Sequence, residues 1–406
     1  MDERRYYGLD ALRGFMMMLG IVLHAALLYL TSPPPAAPIP TDRNNAAVFD
    51  VIFEFIHDFR MPTFFVLAGF FTALLVEKRG VGGTLRNRAN RILLPLLAAL
   101  VVILPPTGLL MFDFMLSVRF GTHELIPNIE NLKTLGREIA AKTGAPADQP
   151  MIGHLWFLYY LCMFYLLIPL VRWVIERCKR LDAFIRRALA SPLTMIALSL
   201  WTAATLWTFQ GGQVHEGFVY LTPHPPSLLY YGSFFILGYM FHTYREFLDA
   251  AVLHLPSFAV LALCLFPLAM LLSGLDSRAR GGSAELHLYS VVANALCTWA
   301  LIYLFVGAAL RFFDRPSPWI EYTSQSSYWV FLIHMPLVAL AGWWLVQFDL
   351  PAVFKFLLVC AFTSVIAFAT FHYAVQKTWI SNFLHGRRFD LAWPWQSRKG
   401  ERPSAV

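Results

Sequence analysis

LDALRGFMMMLGIVLHAALLYL, residues 9–30, is an apolar run that carries a guanidinium at Arg13 and an imidazole at His24. Eleven helical steps of about 100° make roughly three turns, so the two side chains share one side of a helix, about 16 Å apart along its axis. Ionisable groups on one stripe of a membrane helix are costly and by default mark a functional path. The stripe sets a cation toward one membrane face and a possible base toward the other.

The rest of the chain agrees with a membrane reading. Of 406 residues, 58% are hydrophobic and only 14% charged, and the mean hydropathy is +0.56. Apolar runs of about 20 residues recur, each long enough to cross a bilayer core. The expected fold is all-α, a polytopic membrane protein of about ten transmembrane helices. The spans are placed near 9–30, 51–77, 91–111, 153–175, 192–209, 227–241, 255–274, 286–310, 323–346 and 353–376. Residues 1–380 are read as one membrane domain and 381–406 as a basic cytosolic tail, with no internal repeat and no separate soluble domain. Arg4 and Arg5 followed by PPPAAP resemble a signal peptide, but the apolar run is too long and too polar at Arg13 and His24, so a retained first helix is expected.

The net charge of +7 follows the positive-inside rule. With the N-terminus inside, the cytosolic segments collect Arg4, Arg5, Lys78, Arg79, Arg86, Arg88, Arg91, Arg177, Lys179, Arg180, Arg186, Arg187, Arg245, Arg311, Arg315 and the basic tail. They outnumber about threefold the cations of the external loops, which predicts an N-in, C-in chain. No soluble basic module suggests nucleic-acid binding. Five cysteines show neither paired nor metal-like spacing. Two external connections stand out, the Pro-rich 31–50 and the long 112–152.

That topology sorts the polar residues by depth. FEFIHDFRMPTFFVLAGFF (53–71) enters from outside, placing Glu54, His57, Asp58 and Arg60 in its outer portion. GHLWFLYYL (153–161) puts His154 near the outer mouth, and SQSSYWVFLIHMPLV (324–338) sets His334 near mid-membrane. The outer side gathers His24, Asp58, Arg60 and His154. The inner side gathers Arg13, Arg88 and Arg91, the last two on one face at i, i+3. Such a division suits an anionic donor entering from the cytosol and an acceptor waiting outside. Plainer readings exist for most of these groups. Arg88 and Arg91 can simply set topology, Asp10 can neutralise Arg13, Asp58 can pair with Arg60, and His57 can be a solvated loop-end residue. His154 can anchor the interface, and His334 can be a packed core histidine.

RYYGLDALRG with the Arg-x10-His spacing, FIHDFRMPTFFVLAGFF, GHLWFLYYL and SYWVFLIHMPLV, in this order, resemble the acyltransferase 3 membrane family. They are most similar to its glucans biosynthesis protein C branch, the succinyltransferases of osmoregulated periplasmic glucans. The resemblance covers about residues 5–376. It implies a bacterial inner-membrane enzyme, an acyl-CoA-dependent O-acyltransferase whose acceptor is a sugar hydroxyl of a periplasmic oligosaccharide or polysaccharide. Its Arg-x10-His motif falls on Arg13 and His24, and its R-x-x-R motif on Arg88 and Arg91. The tail RFDLAWPWQSRKGERPSAV matches no motif.

The residue chemistry supports definite assignments. Guanidinium groups suit phosphates, so Arg88 and Arg91 are assigned to the CoA phosphates and Arg13 to the pantetheine path. A neutral imidazole can take the proton of an attacking hydroxyl, which makes His24 the base. The expected catalytic set is His24, Asp58 and His154; Arg13, Arg60, Arg88, Arg91 and His334 are the expected substrate-binding set. Arg60, His154 and the Ser324–Ser327 stretch are candidate donors to an oxyanion, with Arg60 also suited to a succinyl carboxylate. The donor is expected to be succinyl-CoA or acetyl-CoA, with no resident cofactor and no metal. Direct transfer is simpler than an acyl-enzyme. The alternatives are an O-acetyltransferase of lipopolysaccharide or exopolysaccharide, and a proton-coupled transporter, which would also use intramembrane Arg, His and Asp but would be expected to show inverted half-repeats.

Overall fold

The computed structural model describes residues 6–33, 41–121, 123, 129–131, 133–134, 137–138, 151–177, 182–191, 193–215, 221–279 and 282–396. Arg4, Arg5, residues 34–40 of the Pro-rich stretch and much of the long 112–152 connection lie outside them. The described residues form helices and no sheet. In chain order these are α1 (Tyr7–Leu27), α2 (Ala47–Arg88), α3 (Leu94–Val102), α4 (Leu104–Phe120), α5 (Trp156–Leu166), α6 (Ile168–Arg177), α7 (Asp182–Leu189) and α8 (Thr194–Leu206). There follow α9 (Pro225–Thr243), α10 (Glu246–Leu253), α11 (Leu255–Ala279), α12 (Ala284–Phe312), α13 (Pro318–Leu345), α14 (Ala352–Thr370) and α15 (Trp379–His385).

Six helical stretches are long and apolar enough to cross a membrane, or up to eight if each bent pair is one span. The sequence predicts about ten, and the differences have local causes. Residues 51–77 and 91–111 are separate spans by hydropathy, whereas Ala47–Val102 is one helical run. It is broken at Gly80, whose φ of 68° and ψ of 174° only glycine adopts readily. The expected third span is divided at Ile103, where Pro105 and Pro106 start a fresh helix in α4. Because α4 continues to Phe120, the long connection is shorter than the sequence suggests. Helix α9 is rich in Tyr, Ser and Gly and is less apolar than these six. It needs no lipid-like face, since most of its length is buried against neighbours.

Close packing of α9 on α2 depends on two glycines. A methyl group at Gly69 would meet Phe235 O at 2.0 Å, and one at Gly238 would meet Val66 O at 2.0 Å. Small residues let membrane helices approach backbone to backbone. At the other extreme, α11 leaves Val260, Leu263 and Leu271 more than half exposed, as expected of a helix that faces lipid.

Helix α1 sits at the centre, packed by α2, α12, α13 and α14. It runs parallel to α13: Arg13 reaches Ser324 and, eleven residues on, His24 reaches His334. At the Leu27 end of α1 a buried ion pair pins the returning chain. Lys355 Nζ contacts Asp42 Oδ2 at 2.8 Å and Oδ1 at 3.1 Å, with both side chains almost fully buried. Asp42 N also donates to Leu28 O at 2.8 Å. Removing one partner of a buried pair strands the other charge, at a cost of about 3–5 kcal/mol. Asp42→Ala is therefore expected to lower the detergent melting temperature sharply, with Asp42→Leu/Lys355→Met recovering most of the loss. Equal melting of wild type and Asp42→Ala would show that the pin contributes nothing.

Candidate active site

Two polar levels lie along the α1–α13 seam. Near the Leu27 end, His24 Nδ1 is 2.9 Å from His334 Nε2, and His334 Nδ1 is 2.6 Å from Phe331 O. The hydrogen-bond pattern decides the tautomers. A carbonyl only accepts, so His334 carries its proton on Nδ1, and its Nε2 accepts from His24 Nδ1–H. The remaining His24 nitrogen, Nε2, is then an unprotonated acceptor on a half-buried ring. The same logic applies to His154, whose Nε2 is 3.2 Å from Leu332 O and whose buried Nδ1 has no partner. The His154 and His334 rings meet edge to face at 5.6 Å.

Arg60 completes this level. It is 6% exposed, and its Nη2 would lie 3.2 Å from a methyl group at Gly20, with His334 Nε2 at 3.6 Å. Gly20 is one turn before His24, so the missing side chain is what admits the guanidinium. Arg60 Nε has no hydrogen-bond partner. A cation lodged beside a neutral histidine pair can stabilise negative charge developing there.

The structure therefore brings together His24, Arg60, His154 and His334, from four segments. Asp58 stands apart. Two residues before Arg60, it projects from the opposite side of α2, where Thr298 Oγ1 donates to Asp58 Oδ1 at 3.0 Å. No ion pair joins it to Arg60 among the described residues. The Ser324–Ser327 hydroxyls, expected as oxyanion donors, are at another level. Ser324 accepts from Arg13, while Ser326 and Ser327 bond to the carbonyls of Thr323 and Ser324. Ser327 is seven residues from His334, about 10 Å along the helix.

The second level is basic. Arg13 Nη2 donates to Ser324 Oγ at 2.7 Å and pairs with Asp10 Oδ1 at 3.1 Å, and its guanidinium lies over the Phe71 ring. Arg88 and Arg91 do not share a face as i, i+3 spacing implies. Residues Ala89–Leu93 form a π-helical turn, which widens the helix and shifts the phase of the residues after it. Arg88 projects over the Tyr165 ring, 5.3 Å away, and its buried Nε has no partner. Arg91 turns to α15, where it donates to Asn382 O and, at 3.1 Å, to Phe383 O. A cation on the last carbonyls of a helix is a favourable C-terminal cap. Gly386, at φ 83° just past α15, leaves room for that guanidinium.

The segment after the last long helix is thus folded. Phe389 N donates to Gln376 O at 2.7 Å, and Trp393 stacks on His372 with ring centroids 4.1 Å apart. His385 also belongs to the basic level. Burial, reinforced by the charges of Arg13, Arg387 and Arg91, pushes its pKa down to about 4. The sequence does not single out His385, and only its place between arginines distant in the chain marks it. His334, expected to bind substrate, is by its geometry the direct partner of His24. The available signal is a second mid-membrane histidine, which needs a partner of its own kind of polarity.

Among the described residues, no group of His, Cys, Asp or Glu is arranged to hold a metal ion. No solved structure matches the chain. Similarity to Glucans biosynthesis protein C of Escherichia coli O1:K1 is 26% identity over 365 residues, covering 84% of this chain and 83% of the relative. The protein of the same name from Escherichia coli strain K12 is 26% identical over 363 residues, with the same coverage. The model of the Acyltransferase domain matches residues 6–372, a stretch that contains Arg13, His24, Arg60, Arg88, Arg91, His154 and His334 and stops short of α15. On that match, the chain belongs to the acyltransferase 3 family of membrane acyltransferases.

Proposed function

We propose that this chain is a bacterial inner-membrane enzyme that moves an acyl group, succinyl in the first instance, from cytosolic acyl-CoA to a sugar hydroxyl of a periplasmic glucan. The carrying observation is the chain of hydrogen bonds from Phe331 O through His334 to His24, which leaves His24 Nε2 as a lone-pair acceptor. The proposed orientation is N-in and C-in, so the Arg13 level faces the cytosol and the His24 level faces the periplasm. The relatives' name, Glucans biosynthesis protein C, supports a glucan acceptor.

In the proposed reaction the sugar oxygen attacks the thioester carbonyl carbon while its proton passes to His24 Nε2. The oxyanion that forms faces Arg60. It is not served by His154, because in the tautomer that donates to Leu332 O its free nitrogen only accepts. The C–S bond then breaks and the thiolate leaves, taking the proton back from His24. Asp58, on the far side of α2, acts on the acceptor rather than on the thioester. The phosphates of CoA occupy the basic level, where Arg88 has the less engaged guanidinium. The roughly 16 Å between Arg13 and His24 is of the order of an extended pantetheine arm.

Transfer from labelled succinyl-CoA to a linear β-glucan by purified protein in liposomes tests the reading. Wild type is expected to succinylate the glucan, and activity with acetyl-CoA alone would move the donor assignment to acetyl. Solute flux without transfer would replace the reading with a transporter. His24→Ala should lower kcat by about 10²–10⁴, the usual worth of a general base, with CoA binding retained. His334→Ala should lower it by about 10–100-fold by freeing the His24 ring, and His334→Gln, which can still accept from His24, should recover part of that loss. An inactive His334→Gln alongside an active His334→Ala would contradict the orienting role.

The π-helical turn separates the two inner arginines by function. Arg88→Gln is expected to raise the CoA dissociation constant about tenfold or more, the scale of a charge-assisted phosphate contact. Arg91→Gln should weaken CoA binding less and instead release α15, read as faster proteolysis after residue 378. Equal effects of the two substitutions on CoA affinity, without a change in proteolysis, would refute this division.

A further inference from the structure

The segment after the last long helix carries charge of its own into the basic level. Residues 379–396 lie beyond the matched family domain, which ends at residue 372, yet Phe389 is buried with Tyr322 and Phe371 of that domain. Arg91 reaches the carbonyls of Asn382 and Phe383, and Ser381 Oγ donates to Arg387 O at 2.9 Å. The Arg387 guanidinium lies 4.7 Å from the Phe389 ring. The His385 ring sits between Phe389, 5.2 Å away, and Tyr328 of α13, 6.0 Å away.

Tyr328 ties these pieces together. Its hydroxyl donates to Arg91 O at 3.1 Å, and it stands one helical turn from Ser324, which holds Arg13. The groups facing His385 are Arg13 from α1, Arg91 from the π-helical turn, Tyr328 from α13 and Arg387 from its own segment. Arg88 faces the same tyrosine from the end of α2. Asp10 offsets Arg13. Arg88 and Arg91 rest on a ring face and on carbonyls, which position a guanidinium without neutralising it. All four arginines are half-buried, so the cluster opens to water and a ligand docks on it without a closed cavity.

Net charge selects the ligand class. Cations this close repel, and an anion that bridges them turns repulsion into attraction. Among anions, phosphate matches the guanidinium fork. His385 registers the repulsion. A histidine in the last turn of a helix is normally favoured as a cation, whereas burial together with Arg13, Arg387 and Arg91 holds this one down at about 4. A phosphate docked among the arginines reverses the sign of that field at the ring.

We propose that the C-terminal segment completes the donor-phosphate site, with Arg387 as a further phosphate contact and His385 as a ring that takes up a solvent proton on its free nitrogen when the phosphate docks. The acyl-CoA reading supplies the identity of the phosphate; the coupling of anion to proton does not depend on it. Because the ring is neutral above about pH 4 without ligand, affinity should tighten as pH falls toward that value and level off at high pH, where the ring is neutral in both states.

Calorimetry on the full chain in nanodiscs tests the proposal, in buffers of different ionisation enthalpy and with dephospho-CoA as probe, whose phosphates do not titrate near neutrality. Wild type should take up a fraction of a proton, up to about one, that His385→Gln does not. Arg387→Gln should raise the dissociation constant about tenfold, the scale of one charge-assisted contact. His385→Asn repeats the comparison if His385→Gln fails to fold. Binding by wild type without proton uptake, or equal uptake in the His385 variant, would overturn the coupling, and unchanged affinity in Arg387→Gln would overturn the phosphate contact. Succinyl transfer assayed on the same samples would in those cases keep the acyl-CoA reading. Sulfate binding that draws a His385-dependent proton, in a chain that does not bind dephospho-CoA, would keep the anion site and remove that reading; binding of neither probe would remove both.

Discussion

Everything at the candidate centre depends on how an apolar bundle houses two histidines. Neither ring can be left without partners away from water, where an unpaired polar group costs on the order of 1–3 kcal/mol. The chain solves this by running α1 and α13 in parallel with polar residues at matched intervals, Arg13 to Ser324 and His24 to His334. Phe331 O anchors the pair. A backbone carbonyl cannot rotate or titrate, so one fixed acceptor sets the tautomer of both rings. The free lone pair at His24 Nε2 thus follows from a carbonyl two links away in the hydrogen-bond chain.

Gly20 shows how little space the centre has. It is the one residue on the Arg13–His24 stripe without a side chain, and the void is filled by the Arg60 guanidinium. A cation in a low-dielectric interior is held only where its surroundings compensate it, yet Arg60 retains an unpartnered Nε. Stored electrostatic need of this kind is most useful where negative charge appears transiently. The basic level is built on different terms. There the π-helical turn sends Arg88 and Arg91 to different tasks, and one of the two cations caps α15.

Much of this is legible in the sequence, and for physical reasons. The Arg13–His24 spacing follows from helix geometry alone, and apolar run length gives the all-α membrane class. Neighbourhood of His154 and Arg60 to His24 comes from sorting residues by depth, which needs only topology. The features that escape the sequence need phase or tertiary contact. Arg88 and Arg91 lose their shared face to a π-helical turn that no simple periodicity marks. Asp58 groups with Arg60 by depth, which ignores the side of α2 a residue faces. The Ser324–Ser327 stretch falls at the other level because α13 runs parallel to α1, a fact visible only once Arg13 meets Ser324. The Asp42–Lys355 pair joins residues 313 positions apart, beyond any local pattern.

The layer between the two levels carries an argument of its own. On α1 the stripe from Arg13 to His24 is occupied by Met17 and Gly20, with buried Met16 and Ile21 beside them. No ionisable group of α1 interrupts it. An apolar layer of this depth separates a basic end, which would hold a hydrated polyanion, from a centre in which water would compete with the sugar hydroxyl for the thioester. Under the acyl-transfer reading the only part of the donor that needs to cross is the pantetheine arm, which is long, thin and uncharged. Exclusion of water and passage of the arm then place the same demand on the residues between Arg13 and His24. Methionine, flexible and unbranched, is the residue type that meets it.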